Sequence, residues 1–369
     1  MCKLRVCAVW ALFLFLVVES ASARRKDALS TIASIESQAS DLLQQKKYSE
    51  ALSAFQRGAD MGSARSQTYL GYMCVTGTGT AKDARQAFEW FSKAAEQDVP
   101  YAENLLGVMY QNGIGTAQDP AHALIWYGKA ARQGFAKAED NLGILYLKGL
   151  GTNQDYPRAL AWFFRAADQG LPAAENNLGS MYFNGLGAPK DTARAISWIQ
   201  KAADQGNPNA QHSLGWMYQE GIGMSQDFVQ AIAWYSKAAE QKFAPAEDAL
   251  GLLSFKGLGM PLNYAEAIKW FKLAAEQGSI NAARNLSLMY SQGLGVKSDQ
   301  AQAQEWLEKS QSHQSQMTSD EKGWMALSDL QAPPQSTQGP SKIVVPDIPL
   351  AGAVAIGRPQ TASPIEAFQ

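Results

Sequence analysis

Few residues of this 369-residue chain could carry chemistry, and their spacing assembles no familiar reactive set. The three histidines, His122, His212 and His313, lie 90 and 101 residues apart. The three cysteines are Cys2, Cys7 and Cys74, with no paired C-x-x-C. No H-E-x-x-H, G-x-S-x-G or Walker-type string is present, so the spacings that place a base beside a metal or a nucleophile are missing. The loop Gly149-Leu150-Gly151-Thr152 begins like a phosphate cradle. It never continues to G-x-x-G-K-[ST], and the same doublet returns seven times along the chain, so it reads as a turn. The 34 acidic residues offer no singled-out pair for acid–base work. No catalytic residue, metal site or cofactor is expected, and the chain reads as a non-enzyme. A net charge of −2 leaves no electrostatic footprint for nucleic acid or an anionic membrane. What remains is recognition of a protein or peptide.

The elements that would position recognising residues recur every 36 residues. Trp90, Trp126, Trp162, Trp198, Trp234, Trp270 and Trp306 keep that step without slippage, as do the glycine pairs from Gly77/Gly79 to Gly293/Gly295. A fixed period of this size marks a repeat array, in which each unit hides its apolar face on its neighbours. Within one unit, Ala102, Leu106, Met109, Tyr110 and Gly113 fall at helical spacing and predict a first helix. Gly113 is placed to stop it in a left-handed conformation. Asp119 then caps a second helix, with Pro120 at its first position and Ala123, Trp126, Tyr127, Ala130 and Ala131 on one face. The expected unit is a helix–turn–helix hairpin stabilised by stacked tryptophans, each expected to cost about 3–5 kcal/mol on truncation.

The string A-x-x-x-L-G-x-M-Y-x-x-G-x-G, followed by D, A-x-x-W and K-A-A-x-Q-G, resembles the Sel-one-like repeat, a relative of the tetratricopeptide repeat. In the third unit Ala138, Leu142, Gly143, Tyr146, Gly149, Gly151, Asp155, Ala159, Trp162, Ala166, Ala167, Gln169 and Gly170 carry the match. Departures fall at Cys74 and Ser254 for Tyr, Asp98 and Lys242 for Gly, and Ser287, Ser310 and Gln311 at the end. The resemblance implies an all-α chain: an α/α solenoid, a right-handed superhelix of about seven repeats, acting as an adaptor or scaffold. It also suggests envelope signalling, exopolysaccharide control or host interaction as settings. Some secreted relatives bind or cleave cell-wall-like compounds, which keeps a cell-wall ligand binder or hydrolase as the alternative. A lumenal adaptor of a secretory pathway is another. Asn285-Leu286-Ser287 fits a glycan acceptor but falls in a predicted helix.

Five segments follow. Residues 1–23 read as a cleaved signal peptide, with Lys3 and Arg5 before an eleven-residue apolar run and Ala21-Ser22-Ala23 at the cut, which implies export to a periplasm or the exterior. Cleavage removes Lys3, Arg5 and Glu19 and takes the net charge from −2 to −3. Residues 24–63 are expected to form a capping pair of helices, Asp27–Lys46 and Tyr48–Met61. Seven repeats occupy 64–311. Residues 312–331 hold a possible capping helix and linker, and 332–369 read as a disordered, Pro-rich tail. Its apolar stretches within 343–356 read either as a docking motif or as an uncharged linker. Cys74 stands in a core tyrosine's place and reads as a small buried hydrophobe.

One row varies where the frame does not. Three first-helix positions point away from the predicted apolar stripe, and candidate partner-binding residues there are Asn104, Val108, Asp140, Ile144, Asn176, Phe183, His212, Trp216, Asp248 and Phe255. On one reading they line the concave groove of the solenoid, with Trp216, a tryptophan outside the period, as its anchor. On the other, the apolar members pack against the adjacent helix and the polar ones face water.

Overall fold

The computed structural model describes residues 26–316, with side chains described to 312; the expectations for the signal peptide, for the linker beyond 316 and for the tail lie outside the described residues. Sixteen helices and no strand occur among them. Helix α1 spans 26–44, and α2 is Tyr48–Asp60. The seven hairpins follow as α3 (Ala64–Thr76) with α4 (Ala84–Ala95), α5 (Pro100–Asn112) with α6 (Pro120–Arg132), α7 (Ala136–Lys148) with α8 (Tyr156–Asp168), and α9 (Pro172–Asn184) with α10 (Thr192–Asp204). They continue as α11 (Pro208–Glu220) with α12 (Phe228–Glu240), α13 (Ala244–Lys256) with α14 (Tyr264–Glu276), and α15 (Ile280–Gln292) with α16 (Gln300–Gln316). By packing, the described residues form two compact units that divide after Gln118.

In the first unit, residues of α1 and α2 pack on the first repeat. Ala51, Ala54 and Phe55 of α2 join Tyr69, Leu70 and Met73 of α3 in one core cluster. Phe55 lies flat on Tyr69, with ring centroids 4.5 Å apart. In the second unit each first helix packs against its own second helix and against the second helix of the preceding repeat, as α7 does on α8 and α6. That position buries it on several sides, so a single apolar stripe does not describe it.

Hairpin ends follow the sequence reading. The Asp155 carboxylate accepts from the Arg158 amide at 2.9 Å, and Asn263 substitutes for aspartate by accepting from the Glu266 amide at 3.0 Å. Gly149 stops α7 at φ 66°. The second glycine of each doublet does more than loosen the turn. A Cβ on Gly151 would lie 2.4 Å from the Pro120 carbonyl of the preceding repeat, so it is the point where one hairpin touches the next. At Asp98 and Lys242, which depart from the repeat's glycine, the backbone keeps the left-handed conformation, with φ 57° and 60°. These side chains are strained by about 1–2 kcal/mol each.

The tryptophans are not the deepest residues. Trp234 and Trp306 are buried, but Trp90, Trp126, Trp162, Trp198 and Trp270 are only half-buried. The next residue is the hub: Phe91, Tyr127, Phe163, Ile199, Tyr235 and Phe271 are each 0–1 % exposed. The reason is angular. Ala159, Phe163, Ala166 and Ala167 sit at i, i+4, i+7 and i+8 and face the first helix squarely, whereas Trp162 at i+3 stands at the edge of that face. The hub ring lies on the first-helix glycine, and a Cβ on Gly143 would fall 2.7 Å from Phe163 Cε1. Gly71 on Phe91, Gly215 on Tyr235 and Gly251 on Phe271 repeat the arrangement. In the last repeat Ser287 replaces that glycine and Leu307 at the hub is exposed.

Candidate functional site

No catalytic grouping emerges around the histidines. His122 Nδ1 lies 2.6 Å from Asp119 Oδ2 at the exposed start of α6, where it extends that helix's cap. The backbone amide of His122 donates to Asp119 and holds its carboxyl below the usual range. His212 packs by its ring against Tyr235 and Phe243, with centroids 5.3 and 5.9 Å away. The side chain of His313 lies outside the described residues. Among the described residues no group of three or more His, Cys, Asp or Glu could hold a metal ion, and no helix is long and apolar enough to cross a membrane. Cys74 is buried, its thiol donates to Gln86 Oε1 at 3.0 Å, and burial pushes its pKa up to about 11. Asn285, the glycan-acceptor match, is wholly buried in α15.

The ten recognition candidates divide into two groups. Asn104, Val108, Asp140, Ile144 and Asn176 are buried, none more than 3 % exposed, which corrects the expectation that they all point away from the packed face. Ile144 joins the core of Phe163, Leu178 and Met181, and Asp140 accepts a hydrogen bond at 2.9 Å from Asn177 of the next first helix. These residues therefore serve helix-on-helix packing, because the first helices are enclosed from several sides. Phe183, His212, Trp216, Asp248 and Phe255 are half-buried. The structure brings the first of these together with Trp216, edge to face, at a centroid distance of 5.8 Å. Such pairs have a favoured quadrupolar geometry. Phe255 packs instead on Tyr264, 5.1 Å away. A row of half-buried aromatic residues thus lies on α9, α11 and α13.

A second arrangement escaped the sequence reading. The fourth residue of each first helix through the sixth repeat is Gln67, Glu103, Glu139, Glu175, Gln211 or Glu247, and all six are buried. Thirty residues on, at the end of the second helix, stands a glutamine. Gln97 donates to Gln67 at 2.8 Å, Gln169 to Glu139 Oε2 at 2.7 Å, Gln205 to Glu175 Oε2 at 2.6 Å, and Gln241 to Gln211 at 2.9 Å. This clamp ties the two ends of these hairpins. In the third and fourth repeats a basic residue closes it: Arg165 lies 2.8 Å from Glu139 Oε1, and Lys201 lies 2.7 Å from Glu175 Oε1. The same cations cover the periodic indoles, Arg165 at 4.7 Å from the Trp162 centroid and Lys201 at 5.2 Å from that of Trp198. Desolvation still raises the Glu139 pKa, with Arg165 opposing it. The signal was present as two polar rows in step, but an acid in a first turn is ordinarily a solvated capping residue.

A family model described as the Sel1 repeat matches residues 64–99, 100–135, 136–171, 172–207, 208–243, 244–279 and 280–310. Among solved structures, a protective antigen of uropathogenic Escherichia coli strains displaying an SLR fold is 34% identical, with a TM-score of 0.59 over 75% of this chain and 58% of that one. This chain thus spans little more than half of that antigen's length. A Sel1 repeat protein from Oxalobacter formigenes is 30% identical, with a TM-score of 0.57 over 77% of this chain and 86% of that one. Among curated proteins none matches. Repeats of this kind form helical scaffolds that commonly mediate protein–protein interaction. With seven successive matches along more than half of its length, the chain belongs to the Sel1 repeat family.

Proposed function

We propose that this protein is a non-enzymatic, exported adaptor that binds a protein or peptide partner along the first helices of its later repeats. The observation that carries the reading is Trp216. It breaks the 36-residue step, stands at a position where Val108, Ile144 and Ser180 are buried, and keeps part of its indole open beside Phe183. A half-covered aromatic pair on a rigid helix is a favourable anchor, since such side chains dominate binding hot spots. Export follows from the n-region, apolar run and Ala-Ser-Ala of residues 1–23. Envelope signalling, exopolysaccharide control or host contact are the settings in which such an adaptor would serve. The alternative is a cell-wall ligand binder or hydrolase.

The test separates recognition from folding. Trp216→Ala and Phe183→Ala proteins are compared with wild type in capture from the native envelope extract and in thermal melting. Loss of captured partner with a melting temperature within a few degrees supports the reading. Unchanged capture, or loss that merely tracks unfolding, overturns it. A turnover assay on cell-wall precursors decides the enzymatic alternative.

A further inference from the structure

The cation that closes the clamp is missing in one repeat that has kept everything else. The residue three after the periodic tryptophan is Lys93, Lys129, Arg165, Lys201, Lys237 or Lys309 in six repeats and Leu273 in the sixth. All six cations lie over the indole of their own repeat, from 3.6 Å for Lys237 to 5.2 Å for Lys201. In the sixth repeat the acid survives: Glu247 is 2 % exposed, and Gln277 donates to its Oε2 at 2.5 Å, as Gln169 and Gln205 do to theirs. Its Oε1, the oxygen that Arg165 and Lys201 engage in the third and fourth repeats, has no cation among the described residues. Trp270 has none over its half-buried ring. The neighbouring lysines of α14 are engaged elsewhere, Lys269 with Glu266 at 3.0 Å and Lys272 over Tyr290 at 5.5 Å. Glu276 adds a further negative charge close enough to act on Glu247.

We propose that the sixth repeat is a receptor for a basic side chain, a lysine or arginine of a partner protein that enters over Trp270 and pairs with Glu247. The third and fourth repeats supply the template. There the carboxylate is at most 1 % exposed while the cation is half-exposed, so the cation sits at a mouth open to solvent and can be delivered from outside. Leu273 is 45 % exposed at that mouth and is too short to reach a carboxylate or to cover the ring with charge. Two independent attractions converge on one point: an under-compensated buried carboxylate and a bare indole face. Two buried carboxylates in the array hold a cation from the chain itself, and this one is left to a partner. The site lies on α13 and α14 and goes beyond the aromatic row, so failure of Trp216-dependent capture leaves it standing.

The probe is the blocked peptide acetyl-Gly-Arg-Gly-amide, added to the full chain labelled with 5-fluorotryptophan. The Trp270 resonance is assigned by its loss in Trp270→Phe. Its citrulline counterpart has the same shape and no charge. The expected result is a saturable shift of the Trp270 resonance, half complete at millimolar peptide, with citrulline roughly tenfold weaker. Leu273→Arg supplies the cation from within, melts at or above the wild-type temperature, and abolishes the shift. Glu247→Gln weakens the peptide about tenfold without moving the starting resonance. No shift, an equal response to citrulline, or a shift that persists in folded Leu273→Arg overturns the proposal.

Discussion

Gly143→Ala tests the packing between hub and glycine, because two known effects oppose each other there. In an ordinary helix interior the change stabilises by about 1 kcal/mol, since alanine loses less backbone entropy than glycine. Here the new methyl would lie 2.7, 2.8 and 3.1 Å from Cε1, Cδ1 and Cζ of Phe163, a ring with no exposed surface and no room to withdraw. Overpacking of a closed core costs about 1–3 kcal/mol, and the depth of this clash places it in the upper half. The net expectation is a loss of about 1–2 kcal/mol. Phe163→Ala alone should cost about 3–5 kcal/mol through the cavity it leaves. In that background the clash is gone, and Gly143→Ala should stabilise by about 1 kcal/mol. The double-mutant cycle therefore gives a coupling of about 2–3 kcal/mol. Urea unfolding followed by far-ultraviolet circular dichroism reads each corner, with the slope checked for constancy. If Gly143→Ala stabilises both backgrounds equally, the ring does not rest on that glycine and the reasoning is wrong.

Further changes probe other parts of the account. Trp162→Ala should cost about half of what Phe163→Ala costs in the same urea assay, because its ring stands at the edge under Arg165 rather than in the core. Lys242→Gly should raise stability by about 1 kcal/mol by removing a side chain from a left-handed backbone, with Gly278 at φ 91° as the natural precedent. Glu175→Gln and Glu247→Gln should differ. The first breaks a pair with Lys201 and costs about 1–2 kcal/mol at neutral pH, discounted because the lysine is half-exposed. The second removes a carboxylate whose pKa is raised by burial and by Glu276, with Gln277 opposing. A raised folded-state pKa means the folded chain holds that proton more tightly, so wild-type stability falls as pH rises from the usual glutamate range through the raised value. Glu247→Gln should flatten that part of the pH–stability curve and be neutral or stabilising at pH 7.

The hairpins, their caps and their stops were legible from the residues, because Asp155, Pro120 and Gly149 act locally and mean the same thing in any helix. The depth of each residue was harder to read. Invariance draws attention to Trp162, yet burial follows the angle around the helix, and the hub varies among Phe, Tyr and Ile without losing its place. Periodicity also assumes one buried face, which misplaced Asn104, Val108 and Asp140 on helices enclosed by neighbours that a single repeat does not display. The Glu–Gln clamp spans thirty residues and pairs two residue types usually found in water, so only the register of the two rows could have exposed it. Trp216 stood out for the opposite reason, as the tryptophan on a first helix that breaks a strict step.

The claim that a partner is held along the first helices is tested most directly by a photoreactive benzoylphenylalanine placed at single positions. At position 216, on α11, it should form covalent adducts with one partner species from the native extract, and excess unlabelled wild-type protein should suppress them. At position 229, on the outer face of α12 where Val229 is 64 % exposed, it should form none. Adducts at 229 but not at 216, or equal and unsuppressed labelling at both, would contradict the account.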